Sequence, residues 1–129
     1  MSSVIDHIAI AVSDLERSRH FYSVALAPLG FEERGPWSDE KREIAFGGDG
    51  ADDFAISDRY RTGGTVHVAF RAASPDAVDA FHAAALAAGG EDNGAPGFRP
   101  EYARDYYGAF ALDPDGNNVE AVWHAPTER

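Results

Sequence analysis

Three side chains that can bind a cation interrupt stretches of sequence that are otherwise apolar. His7 and His67 each lie in a predicted buried strand, and Glu120 interrupts the apolar run 119–123. Imidazole and carboxylate groups are costly to bury unless they are paired or bound to a metal. Two histidines and one carboxylate on three strands match the open triad that binds Fe(II), Mn(II), Zn(II) or Ni(II) and leaves positions for water and substrate.

Each of these residues also has a purely structural interpretation. A single buried histidine is more often a hydrogen-bonded core residue than a ligand, and Glu120 alone fits a carboxylate that faces solvent from a half-exposed strand. The three side chains could also bond to one another without any ion. The metal interpretation therefore depends on a relationship between the two halves of the sequence.

The chain contains an internal repeat with a spacing of 60 residues. The residues that match in type and position are His7 and His67, Ile8 and Val68, Ala9 and Ala69, Phe21 and Phe81, Leu26 and Leu86, and Gly30 and Gly90. Farther along, the spacing grows to about 66, which places Phe54 close to the counterpart of Val119. The repeat gives each half a histidine at the same place, so a pseudo-two-fold axis could bring the two imidazoles together.

The first half begins with a predicted strand followed by a helix. Residues 4–12 are mostly apolar, which is typical of a strand buried on both faces. Ser13 or Asp14 can cap the helix that follows, and Pro28 with Gly30 ends it. Short strands then complete this half.

The second half repeats this order of elements. Residues 66–70 form the predicted strand, and Ser74 with Pro75 at the first helical position opens the helix. The Gly/Pro-rich residues 89–100 are expected to be a surface loop. A small sheet with one helix cannot bury both of its own faces, so the two halves must pack against each other.

Composition limits the classes of function. With no cysteine, thiolate catalysis, disulfides and Cys-based metal sites are excluded, so any metal must take N and O ligands. A net charge of −11 disfavours nucleic acid as a partner. No apolar run approaches the roughly 20 residues that span a bilayer, and the N-terminus is unlike a signal peptide. We therefore expect a cytoplasmic protein without a membrane partner.

Asp6-His7, His67 and the turn 113–117 followed by Glu120 resemble the vicinal oxygen chelate superfamily over residues 4–124. That group includes glyoxalase I, bleomycin- and fosfomycin-resistance proteins, methylmalonyl-CoA epimerase and extradiol dioxygenases. The resemblance implies an α+β fold of two tandem βαβββ modules whose curled mixed sheets enclose a central metal-binding cavity. It also implies one domain over residues 1–129, with modules at about 1–60 and 61–129.

The sequence departs from the four-ligand pattern of this superfamily at one position. Glyoxalase I and the epimerase have a fourth protein ligand on the last strand of the first module, and the repeat aligns that place with Ala55. Alanine has no ligand atom, although a shift of register would bring Asp53 or Ser57 there. The resemblance is therefore to the three-ligand dioxygenases and fosfomycin-type transferases, and glyoxalase I is disfavoured.

Several tyrosines precede or border the predicted strand 109–112. Glu120 and Tyr107 are the catalytic candidates, because a tyrosine hydroxyl close to a metal can act as an acid or orient an oxyanion. Tyr102 and Tyr106 are candidates for substrate binding. The alternative for each tyrosine is an amphipathic residue at the edge of the core.

Charged and aromatic loop residues supply the remaining candidates. Arg104, or else Arg99, could pair with a carboxylate or phosphate of the substrate, although such residues are more often solvated loop charges. Trp37, in a predicted polar loop after the first helix, could stack on a planar ligand.

Two functions remain open from the sequence. The first is a divalent-metal-dependent enzyme of the glyoxalase or dioxygenase type, holding one Fe, Mn, Zn, Ni or Co ion and acting on a small oxygen-chelating substrate. The alternative is a protein that binds or sequesters a small molecule without catalysis, as bleomycin-resistance proteins do. A homodimer is expected in either case.

Overall fold

Two four-stranded sheets, each accompanied by one helix, make up the described part of the chain. A computed structural model describes residues 6–38, 42–48, 53–59, 63–103 and 105–126. The first half contains β1 (Ile8–Ala11), α1 (Leu15–Leu26), a 3₁₀ turn (Ala27–Leu29), β2 (Glu32–Ser38), β3 (Glu43–Gly47) and β4 (Phe54–Ser57). The second contains β5 (His67–Arg71), α2 (Pro75–Ala87), β6 (Glu91–Phe98), β7 (Tyr106–Leu112) and β8 (Asn118–His124).

Both helices begin where their capping residues predict. The Asp14 carboxylate accepts a hydrogen bond from the backbone N–H of Arg17 at 3.1 Å and caps α1. The Ser74 hydroxyl accepts from the N–H of Ala77 at 3.1 Å, and Pro75 takes the first helical position of α2. Within the described ranges, neither helix is long and apolar enough to cross a membrane.

The two sheets have the same topology. Their strand orders are β1-β4-β3-β2 and β5-β8-β7-β6, so the strand that opens each half lies at an edge. That strand runs parallel to its neighbour, and the other pairs are antiparallel. The expected α+β fold with two mixed βαβββ sheets is confirmed.

The hydrophobic core is shared by the two halves. Phe21 and Tyr22 of α1 and Phe81 of α2 have no exposed surface, and the two helices pack against each other. Phe54 of the first sheet and Phe70 of the second meet edge to face, with ring centroids 5.0 Å apart. The repeated units therefore bury each other's apolar faces.

The Gly/Pro-rich segment is a strand, which corrects the expectation of a loop over residues 89–100. It forms β6 at the free edge of the second sheet, where Pro96 can be accommodated. Its register shifts on either side of Gly94. Gly94 has φ +152°, and a Cβ there would lie 2.9 Å from Cδ1 of Phe110. Glycine at position 94 therefore allows the β6 backbone to approach the Phe110 ring closely. In the sequence, glycines of this kind look the same as glycines of a loop.

The two strand histidines lie at the beginnings of their strands and are exposed. His7 precedes β1 and His67 is the first residue of β5, whereas the sequence suggested the middle of buried strands. Their side chains are 69% and 54% exposed within one chain. Ile10 and Phe70 of the same strands face the core and are buried, so the histidines lie on the faces that point away from the core.

Candidate metal centre

Glu120 is a buried carboxylate with contacts to two polar side chains. It lies in the middle of β8 and is 1% exposed. Its Oε1 is 2.5 Å from Nε2 of His67, and its Oε2 accepts a hydrogen bond from the hydroxyl of Tyr106. The fold therefore brings two of the three predicted ligands together within one chain.

The turn before β8 is organised by one buried carboxylate. Oδ1 of Asp113 accepts hydrogen bonds from the N–H groups of Asp115 and Asn117 at 2.9 and 2.8 Å. Its Oδ2 accepts from the Tyr22 hydroxyl at 2.6 Å, which ties the turn to α1 of the other half. Gly116 has φ +86°, a conformation that favours glycine.

The same turn sets the register between β5 and β8. Oδ1 of Asn117 accepts a hydrogen bond from the N–H of Val66 at 3.0 Å, immediately before β5. Ala69 then lies opposite Glu120. Because side chains two apart on a strand share a face, His67 points to the same side as Glu120.

Tyr106 reaches Glu120 across a glycine. It is the first residue of β7, and Phe110 lies directly opposite Glu120. A Cβ on Gly108 would lie 3.0 Å from Cε1 of Tyr106 and 3.5 Å from Oε2 of Glu120. The missing side chain leaves room for the tyrosine ring. Burial, and then the hydrogen bond to Glu120, raise the pKa of Tyr106, so the phenol stays a protonated donor at neutral pH.

Phe110 and Arg99 extend this side of the sheet. The ring centroids of Phe110 and His67 are 6.1 Å apart, and the guanidinium carbon of Arg99 is 5.6 Å from the Phe110 centroid. We call the surface formed by His67, Glu120, Tyr106, Phe110 and Arg99 the site face. The sequence did not predict Phe110 as a site residue, because only the pairing of β7 with β8 puts it opposite Glu120.

His7 does not join His67 and Glu120 in a three-ligand group within one chain. Its Nδ1 is 2.8 Å from Oδ1 of Asp6, and a carboxylate that accepts from Nδ1–H leaves Nε2 as the ligand nitrogen. Among the described residues, no three His, Asp or Glu side chains are placed to hold one metal ion. One chain therefore does not bring His7, His67 and Glu120 into a complete site.

Ala55 occupies the position in the first sheet that corresponds to Glu120. β1 pairs Ala9 with Ala55, and β5 pairs Ala69 with Glu120 in the same parallel arrangement. Both Ala9 and Ala69 follow the strand histidine by two residues. No slip of register occurs, so the first sheet offers a buried methyl group where a fourth ligand would stand.

The register puts neither Asp53 nor Ser57 at the position equivalent to Glu120. The Ser57 hydroxyl donates to the carbonyl oxygen of Arg42 at 2.8 Å and accepts from the N–H of Arg59 at 3.1 Å. Asp53 is exposed just before β4. The geometry thus retains three candidate ligands.

Comparison with known proteins gives the family. The sequence model of the Glyoxalase/Bleomycin resistance protein/Dioxygenase superfamily matches residues 4–121. The chain belongs to this superfamily. The resemblance to vicinal oxygen chelate proteins is confirmed. No curated protein sequence matches the chain.

Solved structures of the glyoxalase and bleomycin-resistance type are similar over nearly the whole chain. A glyoxalase/bleomycin resistance protein from Albidiferax ferrireducens T118 is 35% identical with a TM-score of 0.76, covering 95% of this chain and 100% of that one. A superfamily enzyme from Burkholderia phytofirmans PsJN is 19% identical, with a TM-score of 0.68 and coverages of 95% and 100%. TnmS3, an antibiotic binding protein from Streptomyces sp. CB03234, is 22% identical, with a TM-score of 0.69 and coverages of 96% and 98%. The last two share the fold.

The donor set on the site face fits the metals that this superfamily typically binds. An imidazole nitrogen and a carboxylate oxygen suit first-row divalent cations. Two ligands of one ion, each about 2.0–2.2 Å from it, lie about 3 Å apart. His67 and Glu120 are closer than this, and a small rotation of the exposed His67 ring would separate them.

Tyr107, a catalytic candidate from the sequence, points away from the site face. Side chains alternate along β7, so its hydroxyl faces α2 and donates to Oδ1 of Asp79 at 2.7 Å. That hydrogen bond, and then burial, raise the pKa of Tyr107. Tyr106, proposed only for substrate binding, takes the place beside Glu120.

Of the other predicted substrate-binding residues, only Tyr102 has a described side chain. Tyr102 is 60% exposed and packs edge-on against Tyr106, with centroids 5.1 Å apart, at the rim of the site face. Trp37 lies in β2 rather than in a loop, and its side chain is outside the described part of the structure. Arg104 lies outside the described residues.

Proposed function

We propose that this chain is a divalent-metal-dependent enzyme of the glyoxalase or dioxygenase type, acting on a small substrate that chelates through neighbouring oxygens. His7, His67 and Glu120 are the proposed ligands of one Fe, Mn, Zn, Ni or Co ion. The observation that carries the proposal is the buried Glu120 beside the His67 imidazole. A cation would stabilise this costly arrangement.

We infer that the third ligand comes from a second copy of the chain. β1 and β5 are both edge strands. His7 immediately precedes β1, and His67 is the first residue of β5. Ile8 and Val66, adjacent to His7 and His67, are 38% and 43% exposed. Edge strands with exposed apolar side chains favour pairing with another chain. The proposed homodimer places β1 of one chain beside β5 of the other.

A two-fold axis would form this contact twice. In each copy of the contact, His7 from one chain meets His67 and Glu120 from the other, so a dimer holds two sites. The absence of a three-ligand group among the described residues of one chain agrees with this arrangement. Ala55 would enter each site beside His7 and leave a position for water or substrate.

The proposed chemistry follows from the contacts of Glu120. When bound, the ion would act as a Lewis acid toward the substrate oxygens. The Tyr106 hydroxyl holds Oε2 of Glu120, so Oε1 is the oxygen presented to the ion. Glu120 is also the proposed proton acceptor, because Ala55 removes the second carboxylate that a glyoxalase reaction could use.

Mixing two inactive variants tests both the ligands and the dimer. His7→Ala and His67→Ala should each abolish binding of Zn(II) by their own dimers. After unfolding and refolding together, the mixed dimer regains one intact site, made of His7 from one chain and His67 from the other. Elemental analysis of the purified mixed dimer should give about one Zn(II) per two chains, against two for the unmodified dimer.

Two results would contradict this function. Failure of the unmodified protein to take up any of the five metals would remove the metal-dependent enzyme. Metal binding by the unmodified protein without recovery in the mixed dimer would instead place the complete site within one chain. Tyr107→Phe is the control variant and should bind metal normally, since its hydroxyl faces α2.

A binding protein without catalysis is the second candidate. Tyr102 is 60% exposed beside Tyr106 on the site face, and an exposed aromatic ring suits stacking on a flat ligand. The similar fold of the antibiotic binding protein TnmS3 also suggests this function. If it is correct, His67→Ala should leave ligand affinity and folding nearly unchanged. The single-domain organisation over residues 1–129 and the cytoplasmic location stay predictions.

A further inference from the structure

Arg99 extends from the edge of the second sheet over the middle of the site face. Its N–H donates to the carbonyl oxygen of Tyr106 at 2.8 Å, so the two residues lie opposite each other just beyond the end of β6. Its guanidinium carbon nevertheless lies 5.6 Å from the centroid of Phe110, four residues farther along β7. The side chain therefore turns back toward the strand position of Glu120.

Two glycines of β6 leave the space in which this guanidinium lies. A Cβ at Gly97 would be 3.1 Å from Nη1 of Arg99, and a Cβ at Gly94 would be 3.4 Å from Nη2. Nη2 donates a hydrogen bond to the carbonyl oxygen of Ala95 at 2.6 Å. These contacts hold one orientation of the group, which reduces the entropy lost when it binds a ligand.

The charge of Arg99 has no acidic partner within the described part of the chain. No described carboxylate lies within 4.0 Å of its nitrogens, although the protein has 22 acidic and 11 basic residues. Arg19 and Arg42, by contrast, form two-nitrogen contacts with Glu33 and Asp58. An oriented guanidinium retains donors that match the two oxygens of a carboxylate or phosphate.

Phe110 lies between Arg99 and the proposed ligands. Its ring is 6.1 Å from the His67 ring on one side and 5.6 Å from the guanidinium carbon on the other. A small molecule that contacts the Phe110 ring could therefore reach the His67–Glu120 pair and Arg99 together.

We propose that Arg99 binds an anionic oxygen group of the ligand, so that the substrate carries a carboxylate or a phosphate-type group apart from the oxygens that chelate the metal. The proposal rests on the proposed function for the role of His67 and Glu120. It adds the charge of the substrate and the residue that recognises it. Anion binding itself requires Arg99 and the neighbouring Gly94, Gly97 and Phe110, and it does not require a metal.

Titration of the metal-free protein with inorganic phosphate, and separately with acetate, tests the inference. The Nε–Hε NMR signal of Arg99 should shift saturably with at least one of the two anions, and the responding anion identifies the class of group. In the variants the backbone amide signals around Phe110 report the affinity for that anion, which should weaken at least tenfold in Arg99→Gln and be partly retained in Arg99→Lys. Arg71→Gln is the matched control, because Arg71 is an exposed arginine on the same side of the sheet without neighbouring glycines or a described acidic partner.

The proposal is overturned if neither anion shifts the Arg99 signal, or if Arg71→Gln weakens binding as much as Arg99→Gln does. Because the titration uses no metal, its result is independent of metal uptake. Anion binding without uptake of any metal would refute the proposed enzyme and keep the subsite. Metal uptake with an unperturbed Arg99 signal would refute the anion subsite and keep the proposed enzyme.

Discussion

Ala55 and Glu120 occupy equivalent positions in the two sheets of this protein. Each lies on the strand that pairs in parallel with the opening strand of its half, opposite the alanine two residues after the histidine. One position carries a buried methyl group and the other a buried carboxylate. The pseudo-symmetric fold thus supports an asymmetric set of ligands.

Replacement of Ala55 by glutamate should add the missing carboxylate. Ala55 is 5% exposed, so the larger charged side chain should lower the free energy of unfolding of the metal-free protein by about 1 to 3 kcal/mol. Zn(II) should then raise the melting temperature of Ala55→Glu more than that of the unmodified protein, because binding stabilises the folded state. Thermal unfolding with and without Zn(II) measures both effects.

Ala55→Gln is the matched control for this change. It has nearly the same volume without the charge, so it should be destabilised similarly and gain no extra stabilisation from Zn(II). If Zn(II) stabilises Ala55→Glu no more than Ala55→Gln, a carboxylate at position 55 does not bind the metal.

Removal of the Tyr106 hydroxyl should affect both stability and metal affinity. Tyr106→Phe deprives Oε2 of the buried Glu120 of this donor, which should cost about 1 to 3 kcal/mol in the free energy of unfolding. Loss of orientation of the ligand should weaken metal binding about tenfold. Denaturant unfolding and calorimetric titration with Zn(II) measure the two losses. Tyr102→Phe, at an exposed ring, should change neither quantity.

The Asn117 side chain should be necessary for the register of β5. Asn117→Ala removes the acceptor of the Val66 N–H and a donor to Asp113, and we expect a loss of about 2 kcal/mol in the free energy of unfolding. Hydrogen exchange at the Val66 amide should accelerate more than at amides of β3. Asn93→Ala, at an exposed amide, is the control. Unchanged protection of Val66 would refute this role.

Alkaline pH should destabilise the protein through Tyr22. Burial, and then the charge of Asp113, raise the pKa of Tyr22 well above its usual value, so the folded state favours the neutral phenol. This contribution is complete below the unfolded pKa of about 10 and is lost as pH rises toward the folded pKa. The free energy of unfolding above pH 10 should fall more steeply in the unmodified protein than in Tyr22→Phe. Parallel pH profiles would contradict this assignment.

Local sequence signals predicted the elements of this fold. Asp14 and Ser74 cap the helices because their side chains satisfy backbone N–H groups within three residues, a purely local interaction. The internal repeat predicted two like units, and it aligned Ala55 with Glu120, which the strand register confirms. Local capping and the repetition of residue types need no knowledge of distant contacts.

Tertiary structure alone decided which side chains meet. Pairing of β7 with β8 puts Tyr106, rather than Tyr107, beside Glu120, because alternate residues of a strand face opposite sides. Packing of the two halves leaves His7 and His67 on exposed faces, and within one chain His7 does not join the other two candidate ligands. Residue type and spacing determine which groups can bind a metal, but contacts between distant strands determine whether those groups converge.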